Sequence, residues 1–309
     1  MTVVIVAPGQ GSQTPGFLDP WLAESHFAAQ LDELSDAAGV DLRRHGTVSD
    51  ADTIRDTAVA QPLIVGASLI SLGAVLDGGR REKVAGIAGH SVGEVAAAAG
   101  AGILGDADAM RFVAARGRAM ADAAARTETG MSAVIGADEA ELLAALEPLG
   151  LSPANMNGGG QIVVAGELHG LAALQANPPA GARVIPLQVA GAFHTRFMEP
   201  AVDTMRELAS GMSAAHPTLR IWTNRDGSVV DDGPRYLELL VGQIASPVRW
   251  DRVMESFAAA GVTGLIELSP AGALVGLAKR ALKGLPTLAV KTPDDIPAAH
   301  ALIDQEAAA

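Results

Sequence analysis

The sequence predicts an α/β protein: a parallel sheet with helices packed on its faces and a small α+β unit inserted into it. Three observations carry that prediction. Short continuous apolar runs alternate with longer stretches of helical periodicity, as expected of strands buried on both faces with helices between them. Between residues 127 and 189 the pattern changes to strand-helix-strand-strand-helix-strand, the ferredoxin-like order. A tight stretch, Gly89-His90-Ser91-Val92-Gly93, joins one of the apolar runs directly to an Ala-rich helix.

Composition narrows the function classes. The 309 residues include no cysteine, which excludes disulfides, thiolate metal sites, iron–sulfur clusters and a cysteine nucleophile. With 22 basic against 35 acidic residues, a net charge of −13 and a pI near 4.9, the chain is a poor match for nucleic acid or an anionic membrane surface. Hydrophobic residues make up 49% of the chain and charged residues 18%, enough for a substantial core. No segment reads as membrane-spanning. The apolar start is short and lacks the basic leader of a signal peptide, so a cytoplasmic protein is expected.

The elements follow in order. Val3–Ala7 is the first strand. The turn Gly9-Gln10-Gly11-Ser12-Gln13 comes next, then helical patterning from about Pro20 to Ala38. A second helix is expected to begin after Gln61-Pro62, with Pro near the first turn where a missing N–H costs least, and to run to Leu76. Val84–Ala88 reads as the next buried strand, followed by helices at about Glu94–Gly100 and Asp106–Ala125. In the inserted unit, strands are expected at Met131–Gly136, Ala154–Asn157, Gln161–Ala165 and Arg183–Val189, with helices at Asp138–Glu147 and Leu168–Ala176. Strands near Leu219–Trp222, Leu265–Leu268 and Thr287–Val290 return the chain to the larger sheet, and Glu306–Ala309 reads as a frayed end. The expected domains are a discontinuous large one, 1–126 with 190–309, and a small one, 127–189.

The Gly89–Gly93 stretch is a Gly-X-Ser-X-Gly pattern in the strand–turn–helix context that makes it informative. A turn this sharp needs small residues on both sides. It pushes the Ser91 hydroxyl off the end of the strand, and the following helix N-terminus supplies free N–H groups suited to a developing oxyanion. A serine hydroxyl needs a base. His90 is adjacent to Ser91 and points to a different side of the chain, while His26, His45, His169, His216 and His300 lie in polar or peripheral contexts where a solvated histidine is the default. His194 lies in an apolar turn, Ala190-Gly191-Ala192-Phe193-His194-Thr195, between an expected strand and helix, and is the candidate base.

Several segments share one order and spacing with a known family: Ala7-Pro8-Gly9-Gln10-Gly11-Ser12-Gln13, Thr57-Ala58-Val59-Ala60-Gln61-Pro62, Gly89-His90-Ser91-Val92-Gly93-Glu94, Arg116-Gly117-Arg118-Ala119-Met120, Asn155–Gly166, Gly191-Ala192-Phe193-His194 and Val241–Trp250. Over nearly its whole length the chain resembles the malonyl-CoA:acyl carrier protein transacylases of fatty-acid and polyketide synthesis, and in overall character their actinobacterial members. The resemblance implies a large α/β-hydrolase-like domain carrying the small ferredoxin-like one. It also implies Ser91 as the acylated nucleophile, His194 as general base, the main-chain carbonyl of Gln243 as the group orienting the imidazole, and Gln10 with the N–H of Val92 as oxyanion donors. Read from the residues alone, Gln10 caps a turn, Gln243 sits in a helix and Arg116 is an exposed helix arginine. The resemblance instead sets Arg116 against the free carboxylate of malonate, which its planar fork can engage bidentately. It places Met120, Phe193, His90 and Asn157 with it as substrate-binding residues. Phe193 and Val92 match the malonyl-selective members, while Gly191 stands where the family motif commonly has His.

The implied reaction is a ping-pong transfer of malonyl from malonyl-CoA through Ser91 to the phosphopantetheine thiol of acyl carrier protein, with no cofactor or metal, and the resemblance implies a monomer. Two basic clusters, Arg80-Arg81-Glu82-Lys83 and Lys279-Arg280-Ala281-Leu282-Lys283, are candidates for docking the acidic carrier. The rival readings are a serine esterase or thioesterase of the α/β-hydrolase type, an acyltransferase for another acyl-CoA, and a non-catalytic scaffold on the same fold.

Overall fold

Alternate residues of Val3–Ala7 face opposite layers, and every one of them is fully buried. Val3, Ile5 and Ala7 pack into the main core, and Val4 and Val6 into a second core on the other side. This is why the run is continuously apolar instead of alternating. In the computed structural model, which describes residues 2–308, the strands are β1 (Val3–Ala7), β2 (Val84–Gly89), β3 (Thr129–Ile135), β4 (Ser152–Gly158), β5 (Gln161–Glu167), β6 (Arg183–Pro186), β7 (Gly264–Glu267) and β8 (Thr287–Ala289). They form a parallel sheet ordered β2-β1-β7-β8 and a separate antiparallel sheet ordered β4-β5-β3-β6. The C-terminal ends of β1 and β2 lie side by side, with Ala7 opposite Gly89. Loops leaving adjacent parallel strands open a crevice there, the usual place for a ligand in such sheets.

The antiparallel sheet is not a free-standing appendage. One of its faces (Val134, Ile162, Val164) packs against its own helices with Leu142, Leu146 and Leu171. The other face (Met131, Ala133, Val163, Ala165) joins the main core. Val248, just before the Trp250–Ala259 helix, bridges in parallel to Asn155 of β4 and ties the two sheets together again.

Several expected boundaries move. The Pro20–Ala38 segment is two helices, Asp19–Leu22 and Ser25–Ala38, parted by the extended Glu24. The break seats Trp21 in the core, where its indole donates to the Lys291 carbonyl at 2.9 Å. The next long helix starts at Thr57, because Asp56 caps it by accepting from the Ala58 N–H at 2.8 Å. Pro62 therefore lies inside this helix and not in its first turn. That helix, Thr57–Leu76, is long and apolar enough to cross a membrane, and 78% of its most apolar window is buried inside the protein. A short helix at Leu42–Thr47, capped by Asp41, was not expected. The last expected strand of the insert ends at Pro186 and not at Val189: Leu187 still donates to the Met131 carbonyl at 2.9 Å, but the Val189 N–H turns back to the Leu187 carbonyl at 3.0 Å. Leu219–Trp222 touches β2 by a single bridge, Ile87 to Ile221, and is not a strand. The expected frayed end is helical to Ala308; Ala309 lies outside the described residues.

Candidate active site

Ser91 and His194 are the non-glycine residues with positive φ among the described residues, at 53° and 62°. Crowding forces the first. A Cβ on Gly89 would lie 2.0 Å from the Gly93 carbonyl carbon, and one on Gly93 would lie 2.2 Å from the Ala7 carbonyl oxygen. With glycine at both places, β1, β2 and the Gly93–Gly100 helix meet closely and the chain turns sharply at Ser91. Asn224 holds the turn from outside. Its Oδ1 accepts from the Ser91 N–H at 2.8 Å and its Nδ2 donates to the Gly89 carbonyl at 2.7 Å.

His194 is brought to the serine by the loop between β6 and the Glu199–Ser210 helix. Its Nε2 is 2.7 Å from Ser91 Oγ, and its Nδ1 is 2.9 Å from the Gln243 main-chain carbonyl. A carbonyl only accepts, so Nδ1 carries the proton and Nε2 is free to take one from the serine. His194 is buried, and its pKa is brought down to about 3, first by burial and then by the Arg116 cation. The ring is therefore neutral and able to act as a base.

Arg116 is buried, not solvated as its helix position alone suggested, whereas Arg118 is exposed. Its Nη1 donates to Gln61 Oε1 at 2.6 Å and its Nη2 to Gln243 Oε1 at 2.8 Å. Gln61 in turn donates to Met120 Sδ at 3.4 Å, so Met120 shares the Arg116 side of the helix. Burial lowers the Arg116 pKa to about 10, partly offset by Glu94, and the group stays cationic at neutral pH.

The other expected residues fall nearby. Phe193, buried, immediately precedes His194. His90 Nε2 is 2.9 Å from Asn157 Oδ1, and its ring lies edge-on to Trp250 at 5.5 Å between centroids. This pair links the nucleophile turn to β4. The Gln10 side chain donates to the Arg55 carbonyl at 3.1 Å, so the side chain is committed to the turn. The main-chain N–H groups of Gln10 and Val92 donate to no other main-chain or side-chain group among the described residues. The Arg80–Lys83 cluster lies at the start of β2, the end remote from Ser91, where Arg80 and Lys83 both pair with Asp304 at 2.8 Å. Arg280 packs against Gly159 in the β4–β5 turn, two residues beyond Asn157.

Asn224, Glu94 and Gln61 were not singled out from the sequence. Glu94 carried a signal, a lone acid in an apolar, Ala-rich helix. Asn224 reads as an ordinary turn residue before Arg225-Asp226-Gly227, and nothing local ties it to a serine 133 residues away.

A serine on a sharp strand–helix turn, a carbonyl-oriented histidine and a buried cation beside them fit an acyl-transferring enzyme class. The chain matches the acyl transferase domain model over residues 4–300 and belongs to that family. Within it, the chain is one of the malonyl CoA-acyl carrier protein transacylases. It is 49% identical over 298 residues to the Mycobacterium tuberculosis enzyme of that name, covering 95% of this chain and 98% of the relative. It is 35% identical over 301 residues to the Escherichia coli K12 enzyme, covering 95% and 97%. The crystal structure of the M. tuberculosis transacylase superposes with a TM-score of 0.94 at 46% identity, covering 97% of this chain and all of that one. A malonyl-transacylase solved with the holo carrier protein of a type II polyketide synthase superposes at 0.88 with 30% identity, covering 98% of this chain and 100% of that chain.

Proposed function

We propose that this chain transfers malonyl from malonyl-CoA to the phosphopantetheine thiol of acyl carrier protein through a malonyl-serine intermediate. The observation that carries the reading is the buried Arg116, held by Gln61 and Gln243 beside the Ser91–His194 pair. A guanidinium in that position suits a free carboxylate one methylene away from the reacting carbonyl. A neutral acetyl group would leave it uncompensated.

Ser91 Oγ attacks the thioester carbonyl as His194 Nε2 takes its proton. The oxyanion is received by the N–H groups of Gln10 and Val92, the latter at the helix N-terminus. The carbon–sulfur bond breaks, and the imidazolium returns the proton to the departing CoA sulfur. The carrier's thiol then attacks the serine ester by the same route, with His194 again taking and returning one proton. The Gln243 carbonyl fixes the tautomer but carries no full charge, so it stabilises imidazolium less than a carboxylate would. The malonyl carboxylate offsets this in part. Paired with Arg116, it offsets one of the three influences, after burial and beside His90, that hold the His194 pKa down.

Met120 and Phe193 border the acyl group in this reading, and His90 and Asn157 bound its outer side. We also infer a large α/β-hydrolase-like domain, 1–126 with 190–309, and a ferredoxin-like insert, 127–189. The order β4-β5-β3-β6, with every pairing antiparallel, supports the insert. Lys279, Arg280 and Lys283, near the β4–β5 turn, are the better docking patch, since Arg80 and Lys83 of the other cluster are both engaged by Asp304. The reading needs no cofactor beyond the substrates' own pantetheine and places the protein in the cytoplasm as a monomer. Initial rates measured against malonyl-CoA at several holo-carrier concentrations should give parallel double-reciprocal lines. Intersecting lines would mean a ternary complex and no acyl-enzyme.

A further inference from the structure

Glu94 is buried one turn beyond the nucleophile, and its carboxylate is used on both sides. Oε1 accepts from the Asn224 main-chain N–H at 2.6 Å, and Oε2 accepts from Gln243 Nε2. Asn224 is the residue that clamps the Ser91 turn. Gln243 gives its main-chain carbonyl to His194 and its side-chain Oε1 to Arg116, while Nε2 also reaches the Ser91 carbonyl at 3.0 Å. The direction of the Gln243 amide is thus set by its neighbours. With Glu94 accepting from Nε2, Oε1 must face Arg116.

We propose that Glu94 is a positioning residue for substrate selection: by accepting from Gln243 Nε2 it points Gln243 Oε1 at Arg116, and so fixes the guanidinium for a malonyl carboxylate. The inference rests on the malonyl-transfer reading above. The carboxylate is otherwise costly. Burial raises its pKa to about 7, against the favourable contacts from Asn224, Gln243, Thr223 and Arg116. The Tyr236 hydroxyl is buried on the neighbouring helix, with its own pKa raised by burial and by the Glu94 charge.

In Glu94→Gln the new amide still accepts from Asn224, but its NH2 meets the NH2 of Gln243. The Ser91 carbonyl and Arg116 still hold the Gln243 amide in its direction, so one of the two facing NH2 groups is displaced, which loosens the side chain whose Oε1 holds Arg116. The main-chain carbonyl that orients His194 is unaffected. Acylation of the protein by malonyl-CoA and by acetyl-CoA is measured for the wild type, Glu94→Gln, Arg116→Ala and the double variant. Loss of one hydrogen bond to a charged group predicts that Glu94→Gln lowers malonyl kcat/KM about 10–100-fold and acetyl kcat/KM less than about 3-fold. In the Arg116→Ala background, Glu94→Gln should leave the malonyl-to-acetyl ratio unchanged. Equal loss with both substrates, no loss, or the full ratio change without Arg116 would overturn the proposal. Should Glu94→Gln not fold, Gln243→Met tests the same link. It keeps the main-chain carbonyl and should reproduce the selectivity loss, and an unchanged ratio would overturn the link. A wild type that does not prefer malonyl over acetyl would overturn the substrate reading, and the proposal with it. A selective wild type with unselective effects of Glu94→Gln would overturn the proposal alone.

Discussion

Ser91 and His194 both occupy the left-handed region, at φ 53° and 62°, and their side chains meet at 2.7 Å. Backbone strain of this kind persists only where surrounding structure enforces it, and here it sits on the two residues joined by that hydrogen bond. The same residues set a pH dependence of stability. The folded pKa of His194 is depressed to about 3 from 6.5, so its neutral-form stability is present above pH 6.5 and is lost as pH falls towards 3. Glu94 works the other way. Its folded pKa is raised from 4.5 to about 7, so its contribution is full below pH 4.5 and is lost as pH rises through 7. The melting-temperature advantage of wild type over His194→Gln should therefore shrink steadily from pH 7 to pH 3.5; a constant difference would contradict the buried, neutral histidine. Residues whose neighbours announce them were legible in the sequence: Ser91 between its glycines, and His194 in an apolar turn. The burial of Arg116 beside the pair was implied only by family resemblance, because helical spacing cannot tell a buried arginine from a solvated one. Asn224 was illegible because its partner is distant in the chain.

At the level of elements, strands with both faces buried were the most legible. Val3–Ala7 falls where its apolar run predicts, and Leu168–Ala176 matches the expected helix. Errors gathered where side-chain capping or tertiary packing overrides local pattern. Asp56 starts a helix five residues before Gln61. The segment after Leu219 leaves the sheet because its next residues turn back to place Asn224 on the nucleophile turn. The Ser91 turn itself depends on the junction of three elements, β1, β2 and the Gly93–Gly100 helix. Gly93→Ala would set a methyl 2.2 Å from the Ala7 carbonyl oxygen, and backbone cannot yield as a flexible side chain would. Overpacking of this kind costs about 1–3 kcal/mol or more, so a clear fall in melting temperature and loss of acylation are expected. A variant with wild-type stability and activity would contradict the close-packed turn.

For the whole molecule, the two sheets are built around one site. Gln243 from the Gly233–Gln243 helix, Arg116 from the Asp106–Ala124 helix, Asn157 from β4 and the turn after β2 all converge there. The antiparallel sheet shares the main core, so it can hold His90 through Asn157 as part of a continuous packed body. Net charge is a property of this scale too. At −13 the chain offers an acidic partner no general attraction, so the proposed carrier docking requires a local basic patch, for which Lys279–Lys283 is the candidate. The central claim is that malonyl passes through Ser91. It is tested most directly by the intact mass of the protein after brief exposure to malonyl-CoA, and again after holo acyl carrier protein is added, with Ser91→Ala alongside. Wild type should carry one malonyl adduct, located on the Ser91 peptide, which moves to the carrier, and Ser91→Ala should carry none. An adduct that persists in Ser91→Ala, or one lost to water while the carrier stays unloaded, would contradict that claim.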